Sequence, residues 1–300
     1  MFEFRKIQLR DRDAVNERLA VSDFRGCEYS FANNMAWQRL NNTLICLYRD
    51  FYICCSWDGN DPYITFPAGV KTDEAGKEKY IYLFSALKKF FEDQGKKLIV
   101  SSVTEENLQW IREYYGDSVT YGSDRDYSDY IYNSSDLINF PGKKYHAKRN
   151  HIRRFMENNW SFEPICPANT EECIVFATNF YNSVSASDHS SVIEQYAINL
   201  FLTEMEYLGL TGALLKCGKD TVGVTIGERL NSDTFVVHIE KARSDVQGAY
   251  PMLCSQFAKK NASELTYINR EEDLGIEGLR KSKLSYRPVF LLDKYTVFFK

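Results

Sequence analysis

Residues 267–288 read YINREEDLGIEGLRKSKLSYRP, a segment that combines a strand with a cluster of charges. Its apolar start runs into four consecutive ionisable residues, Arg270 to Asp273. Two glycines, Gly275 and Gly278, then flank a short apolar turn before a cationic end. In open α/β sheets, side chains at a strand end point into a crevice rather than into the core. The pattern therefore predicts a strand, with a functional site where that strand ends.

The elements before this segment alternate between strands and helices. Three strand patterns are joined by polar turns, which is typical of an antiparallel meander, and a helix and another strand follow. These elements are predicted at residues 211–216, 221–229, 234–241, 248–260 and 264–269. Such an order predicts an α/β fold.

The first half of the chain shows a similar order without visible sequence repetition. Its strands and helices are predicted at residues 2–9, 11–19, 44–48, 51–57, 63–66, 77–93, 97–101 and 105–115. Residues 27–37 are aromatic and polar, and they are predicted to be irregular. The repeated order predicts two domains in tandem, with limits 1–138 and 139–300. A linker near residues 133–142 contains Ser134, Ser135, Pro141 and Gly142, as a domain boundary should.

Composition and charge limit the classes of function. The chain has 300 residues, of which 44% are hydrophobic and 26% charged, as in ordinary globular proteins. Its net charge of −4 means that any site for a polyanion must be local. No secretory signal and no long apolar window are visible, and the eight cysteines include no C-x-x-C pair. We therefore expect a cytoplasmic protein with reduced cysteines, no transmembrane segment and no metal site.

A basic cluster lies near the predicted linker. Residues 143–155, KKYHAKRNHIRRF, contain six Lys or Arg, two His and no acid. On a helix, this composition gives a cationic stripe that suits a phosphate-rich ligand. The residues predicted to bind the donor are Lys144, Lys148, Arg149 and Arg153. The alternative is a solvated helix face that pairs with the acids upstream, such as Asp136.

Two further patterns are candidates for the site. On a strand, His238 and Glu240 point the same way, and a buried Glu could act as a general base. The alternative is a satisfied pair at a sheet edge. Gly248 opens a predicted helix, where free backbone N–H groups could hold an anion, although an ordinary helix start is the favoured explanation.

The charged group at Arg270, Glu271, Glu272 and Asp273 exceeds what one helix cap needs. These residues are predicted to be catalytic or to orient the basic residues. The alternative is that they cap the segment 274–284.

Four segments together resemble one bacterial family: residues 30–37, 144–155, 238–242 and 269–288. The family is named after the C-terminal domain of phosphatidylglycerol lysyltransferases, and the resemblance covers essentially the whole chain. It implies two tandem GNAT-like acyltransferase domains, each with a mixed, mostly antiparallel sheet flanked by helices. It also implies kinship with the Fem-type aminoacyltransferases, which move an aminoacyl group from a charged tRNA to an amine or a lipid hydroxyl.

The resemblance also implies residue roles. The end pattern of the Fem-type proteins matches Asp273, Gly275, Gly278, Lys281 and Lys283. The implied catalytic set is Glu240, His238, Glu271 and Asp273, with Glu240 as the proton acceptor. The implied donor-binding residues also include Gly248, Arg270, Arg280, Lys281 and Lys283, which would hold phosphates or a developing oxyanion.

Three hypotheses follow from these observations. The first is an aminoacyl-tRNA-dependent transferase whose acceptor is a small molecule or a cell-envelope precursor. The second is a coenzyme A-dependent N-acyltransferase, although the loop at Gly248 departs from the acetyl-CoA pattern of simple N-acetyltransferases. The third is a non-catalytic polyanion-binding protein with the same fold. None of them requires a resident cofactor beyond the acyl donor itself.

Overall fold

The computed structural model of the chain describes residues 2–40, 42–183 and 189–300. Its contacts divide the chain into two compact units. The first unit contains Met1–Asp129, Glu272–Ile276 and Leu291–Lys300, and the second contains Tyr130–Glu271 and Glu277–Phe290. The tandem-domain limits 1–138 and 139–300 stay a prediction.

Helices and strands alternate along the chain. The described helices are α1 Arg12–Ser22, α2 Phe31–Trp37, α3 Glu74–Glu92, α4 Glu105–Tyr115, α5 Ser134–Asn139, α6 His146–Phe155, α7 Thr170–Ser183, α8 His189–Thr203, α9 Met205–Leu208, α10 Ala249–Asn261 and α11 Glu277–Ser285. The described strands are β1 Leu44–Tyr48, β2 Phe51–Asp58, β3 Asp61–Thr65, β4 Ile99–Val103, β5 Val119–Ser123, β6 Asp129–Asn133, β7 Trp160–Pro164, β8 Thr211–Cys217, β9 Asp220–Arg229, β10 Thr234–Ala242, β11 Tyr267–Asn269, β12 Phe290–Leu292 and β13 Tyr295–Phe299.

The sheet of the first unit has the strand order β1-β2-β3-β4-β13-β5. Strands β3 and β4 are parallel, and the other neighbours are antiparallel. The parallel pair is joined through α3, because parallel strands need a crossover connection. Asp73 caps α3 by accepting a hydrogen bond from the backbone N–H of Gly76. Apolar residues of α3 recur at helical spacing, and Tyr80, Phe84 and Leu87 are fully buried in the core of this unit.

The sheet of the second unit has the order β12-β6-β11-β10-β9-β8-β7. The predicted meander is confirmed, since β8, β9 and β10 pair antiparallel in sequence order. Strand β10 then pairs parallel with β11 through the crossover helix α10. Leu253 of α10 packs with Phe155 of α6 in the core of this unit. The end of β11, at Asn269, therefore lies beside Val236 of β10, so that Arg270 and Glu271 follow next to the part of β10 that carries His238 and Glu240.

Two local predictions were wrong. Residues 2–9 contribute only an isolated antiparallel bridge, in which the backbone groups of Arg5 and Ile45 exchange hydrogen bonds of 3.0 and 2.7 Å, and a tight helical turn then begins at Leu9. The segment predicted to be irregular at 27–37 contains α2, and Ser30 caps this helix by accepting from the N–H of Asn33. Residues 133–142, predicted as the linker, contain the short helix α5, and the linker itself stays a prediction.

Candidate active site

Most of the predicted site residues belong to the second unit, whereas Asp273 belongs to the first. The carboxylate of Asp273 is fully buried and forms an ion pair with Arg125 at 3.1 Å. It also accepts a hydrogen bond from the N–H of Gly275 at 2.9 Å. These contacts let Asp273 hold the turn before α11 in place.

Glu240 is the central acid of the second unit. Its side chain is only 7% exposed, and its Oε1 lies 2.6 Å from Nη2 of Arg270. Burial raises the pKa of Glu240, while the nearby charges of Arg270 and Lys148 oppose that shift. The thiol of Cys254, on α10, also opposes the rise in the pKa of this carboxylate, though less than those charges. Glu240 is therefore a buried carboxylate whose basicity is increased and whose orientation is fixed.

Arg270 is held on several sides. Its guanidinium carbon lies 4.4 Å from the ring centroid of Tyr286 and 5.6 Å from that of Tyr132. Burial lowers the pKa of Arg270, but the charge of Glu240 and the other ionisable neighbours together raise it by more, so the guanidinium stays charged. Its Nη1 is buried and has no hydrogen-bond partner among the described residues. An unpaired N–H of this kind is costly, and it suits an oxygen of a bound ligand.

Lys283 has a supporting role in this arrangement. Its side chain is buried, and its ammonium donates to the backbone carbonyl of Arg270. The hydroxyl of Tyr132 in turn donates to the backbone carbonyl of Lys283 at 2.8 Å. Lys283 thus positions Arg270 directly.

Lys148 extends the cationic group towards solvent. Its Nζ lies 3.5 Å from the ring centroid of Tyr286 and donates to Oγ of Ser285 at 2.8 Å. Burial, followed by the charge of Arg270, lowers the pKa of Lys148 to about 8. The contact with Ser285 also brings α6 against α11, so the two basic segments adjoin within one unit.

His238 is held between two carboxylates. Its Nδ1 lies 2.8 Å from Oε1 of Glu271 and its Nε2 lies 3.0 Å from Oε1 of Glu228. Burial lowers the pKa of His238, but the hydrogen bonds and charges of the two acids raise it to about 9. The imidazole is therefore charged at neutral pH. With both ring nitrogens engaged, it fixes Glu271 in place.

His238 and Glu240 were expected to point in the same direction, but their side chains contact different elements. The pairing of β10 with β9 is irregular between Val237 and Ile239, which interrupts the alternation of side chains. His238 lies 5.4 Å from the ring centroid of Phe201 on α8, whereas Glu240 contacts α10. The two residues therefore belong to separate polar groups.

The remaining predicted basic residues differ in their surroundings. Lys144 pairs with Asp136 at 3.0 Å, which is the contact that the solvated-face alternative anticipated. Arg149 donates to the backbone carbonyls of Phe140 and Gly142 and so ties α6 to the chain before it. Arg153 and Lys281 are exposed, and Arg280 is half-buried.

Gly248 has a packing reason for its identity. A Cβ at this position would lie 2.2 Å from the carbonyl oxygen of His151 on α6, and its φ is +87°. Only glycine tolerates both conditions. The close approach of α10 to α6 accounts for this residue whether or not it also binds an anion.

Sequence reasoning missed the aromatic and thiol neighbours of Glu240 and Arg270, namely Tyr132, Cys254 and Tyr286. It also missed an ionic cluster in the first unit, where Nζ of Lys294 lies 2.7 Å from Asp129 and 2.8 Å from Glu28. These partners lie far apart in the sequence, so no local pattern connects them. Among the described residues, Cys27, Asp129 and Glu272 place ligand atoms close enough for a metal ion, but the Lys294 ammonium already lies within that group.

No helix among the described residues is both long and apolar enough to cross a membrane. The chain is similar to known proteins over all or most of its length. A crystal structure of a conserved protein of unknown function from Bacteroides thetaiotaomicron VPI-5482 is 35% identical, with a TM-score of 0.89 and 100% of both chains covered. The uncharacterized protein MYCGA3080 of Mycoplasmoides gallisepticum is 22% identical over 220 residues, which are 68% of this chain and 66% of that protein.

More distant structures show the fold alone. FemX is 10% identical, with a TM-score of 0.67 over 99% of this chain and 97% of that chain. A tandem GNAT protein from the clavulanic acid biosynthesis pathway is 8% identical, with a TM-score of 0.52 over 99% of this chain and 98% of its own. The expected tandem GNAT fold, with two mixed sheets flanked by helices, is thereby confirmed.

A family model described as phosphatidylglycerol lysyltransferase, C-terminal, matches residues 19–298. The match spans nearly the whole chain, and the chain has the tandem GNAT fold of acyltransferases. The chain therefore belongs to the family of phosphatidylglycerol lysyltransferase C-terminal domains.

Proposed function

We propose that this chain transfers an aminoacyl group from aminoacyl-tRNA to an amine or hydroxyl acceptor. The observation that carries this proposal is Glu240, a buried carboxylate fixed by Arg270 at 2.6 Å near the end of β10. A general base must be oriented, and its pKa must be raised towards neutral pH. Burial raises the pKa of Glu240, and the ion pair with Arg270 fixes its orientation.

The chemistry needs few groups from the protein. The nitrogen or oxygen of the acceptor attacks the carbonyl carbon of the aminoacyl ester, and Glu240 takes the proton of the acceptor. The ester C–O bond then breaks, and the same proton returns to the ribose oxygen that leaves. The unpaired Nη1 of Arg270 suits the carbonyl oxygen on which negative charge develops. Positioning of the two substrates supplies most of the remaining rate.

The donor would be held by the cations of α6 and α11. Lys148 contacts Ser285, so these helices present their charges together, and Arg153 and Lys281 are exposed. Exposed cations of this kind bind phosphates without reading the base sequence. His238 and Lys283 act indirectly, since one holds Glu271 and the other holds the backbone of Arg270.

Transfer can be tested with bulk tRNA that carries radiolabelled amino acids, supplied with a mixture of amine and hydroxyl acceptors. We expect loss of label from the tRNA and its appearance in a new product. The variant Glu240→Gln should slow this reaction by roughly 10²- to 10⁴-fold, the range for loss of a general base. Glu163→Gln, on the outer strand β7, is the matched control and should react at the normal rate. Unchanged turnover in Glu240→Gln would remove Glu240 from the mechanism.

Binding of the donor is a separate measurement. Filter binding of uncharged bulk tRNA over a series of salt concentrations should give an affinity that falls as salt rises. Removing the charges of Arg153 and Lys281 should reduce that slope, whereas Lys259→Ala on α10 should not. Absence of binding at low salt contradicts the RNA donor. A rise in melting temperature with acetyl-CoA would instead favour the coenzyme A-dependent reaction.

A further inference from the structure

A cavity of about 660 Å³ opens in the second unit where β10 ends. It lies between α7, the turn from β8 to β9 and the loop that leads into α10. Three aromatic rings line it, those of Phe176, Phe180 and Tyr250. Its volume falls in the range of roughly 300–1,000 Å³ that is usual for small-molecule sites. None of the residues proposed above to hold the donor lines this cavity.

The cavity adjoins the proposed general base. Ala242 lines it and follows Glu240 by two residues on β10, a separation of about 6–7 Å along a strand. Tyr250 and Cys254 lie one turn apart on α10. After burial, the nearby charge of Glu240 raises the pKa of both the Cys254 thiol and the Tyr250 hydroxyl, so Glu240 lies within range of both side chains. A molecule bound against Tyr250 therefore has one end close to Glu240.

The charges of the cavity disfavour a phosphate. Its described lining includes three carboxylates, those of Glu172, Asp220 and Asp245, against the cations Lys219 and Arg243. Arg243 is already held by Asp245, with a shortest distance of 2.6 Å. Glu172 is likewise held by Lys216 at 2.8 Å, so a phosphate group would have to compete with these carboxylates for their cations.

The same lining favours an ammonium group. Glu172 stays ionised, because its hydrogen bonds from Lys216 and then Thr221 lower its pKa. Asp220 is exposed on the turn at the cavity mouth. A cation near these carboxylates would also be attracted by the faces of the Phe176 and Tyr250 rings, whereas the Phe180 ring already has Nζ of Lys241 at 5.5 Å from its centroid.

We propose that this cavity is the acceptor subsite and that the acceptor is a primary amine carried on an apolar or aromatic body. Its role as an acceptor site rests on the proposed function, whereas its preference for amines does not. The apolar body lies against Phe176, Phe180 and Tyr250, and the amine reaches towards Glu240. The bound ammonium first loses one proton to solvent. The neutral amine nitrogen then forms the new bond to the acyl carbon, its next proton passes to Glu240 and from there to the ribose oxygen that leaves, and the product is an amide.

Binding can be measured without any acyl donor. Saturation-transfer NMR titrations of the full chain would compare phenethylamine, its neutral analogue 2-phenylethanol, and AMP. We expect phenethylamine to bind at least about tenfold more tightly than the alcohol, as one charge-assisted contact provides. Phe180→Ala and Asp220→Asn should each weaken the amine about tenfold or more. The matched controls in the first unit, Tyr82→Ala and Asp93→Asn, should leave it unchanged.

Three outcomes of this titration overturn the subsite. They are equal affinity for the amine and the alcohol, preferential binding of AMP, and amine binding that is unaffected in both cavity variants. If the amine binds as expected but no label leaves aminoacyl-tRNA, the proposed transfer fails while the amine site stands. If transfer occurs, the product must resist mild alkali as an amide does, because an alkali-labile ester would show a hydroxyl acceptor and contradict the subsite.

Discussion

Arg270 and Glu240 form the ion pair on which the proposed chemistry depends. Replacing Arg270 with Met would leave the Glu240 carboxylate buried without its charged partner, and we expect a loss of about 3–5 kcal/mol in the free energy of unfolding. Urea denaturation measures this loss. The double variant Arg270→Met, Glu240→Met should recover much of it, because no isolated charge remains buried. Arg243→Met is the exposed control and should cost less than about 1 kcal/mol. Equal losses in Arg270→Met and Arg243→Met would contradict burial as the cause.

His238 predicts a dependence of stability on pH. Its pKa rises from 6.5 in the unfolded chain to about 9 in the folded protein, so the folded state binds the proton more tightly. The stabilisation, roughly 3 kcal/mol, is fully present below pH 6.5 and is lost as the pH rises towards 9. Lys148, whose folded pKa is lowered to about 8, acts in the opposite direction above that pH.

The contribution of His238 is therefore tested by comparing the pH dependence of stability in the wild type and in a His238 variant. Urea unfolding from pH 6 to pH 8 should show falling stability in the wild type and a flatter profile in His238→Asn. Glu271→Gln should flatten it in part, since Glu228 remains as a partner. A wild-type profile parallel to that of His238→Asn would mean that the imidazole is not charged in the folded state.

At the scale of elements, patterns of apolar residues predicted most helices and strands. The period of α3 and the turns of the meander are local, so they are visible in the sequence. Helix α2 was not predicted because its sequence is aromatic and polar. The signal that marks it is the cap at Ser30. The strand predicted at residues 2–9 is reduced to a single bridge between Arg5 and Ile45 of β1, because alternation alone does not determine how many residues pair.

The candidate site was only partly visible in the sequence, for the same reason. Residue types and strand ends indicated Glu240, Arg270 and Lys148, but nothing local shows that Arg270 turns to Glu240 while the adjacent Glu271 turns to His238. That choice depends on the parallel register of β10 and β11, which α10 sets. The cavity at Tyr250 was not predicted at all, because its walls come from three separate segments of the chain.

Helix α10 must approach α6 closely, and this gives a prediction for Gly248. In Gly248→Ala, the new Cβ would meet the carbonyl oxygen of His151 at 2.2 Å, and the residue would keep a φ of +87°. Gly218 is the matched control, because its φ is +63° and no atom lies within 4 Å of the added Cβ. We expect Gly218→Ala to lose about 1–2 kcal/mol, the cost of the left-handed conformation. Gly248→Ala should lose at least ~2 kcal/mol more by urea denaturation. Equal losses would show that α10 can move away.

At the scale of the whole molecule, the last strand of the chain completes the first sheet. Strand β13 lies between β4 and β5, and its residues Val297 and Phe299 are buried in the core of the first unit. The same segment carries Lys294, whose ammonium pairs with the buried carboxylate of Asp129. One segment at the end of the sequence therefore supplies a central strand and the partner of a buried charge.

Truncation after Phe290 should therefore unfold the sheet of the first unit, even though most of that unit precedes residue 130. Among the described strands, β5 pairs only with β13, so its amides should lose protection completely, and those of β4 should lose it in part. Hydrogen exchange followed by mass spectrometry measures the protection of both strands.

Two point variants separate the effect of packing from the effect of chain length. Val297→Ala, at a fully buried position, should cost about 2 kcal/mol or more, whereas Phe298→Ala, at a position 39% exposed, should cost about 1 kcal/mol or less. Slow exchange of β5 in the truncated chain would mean that the first sheet closes without its last strand, and the assignment of residues 291–300 to this unit would have to be abandoned.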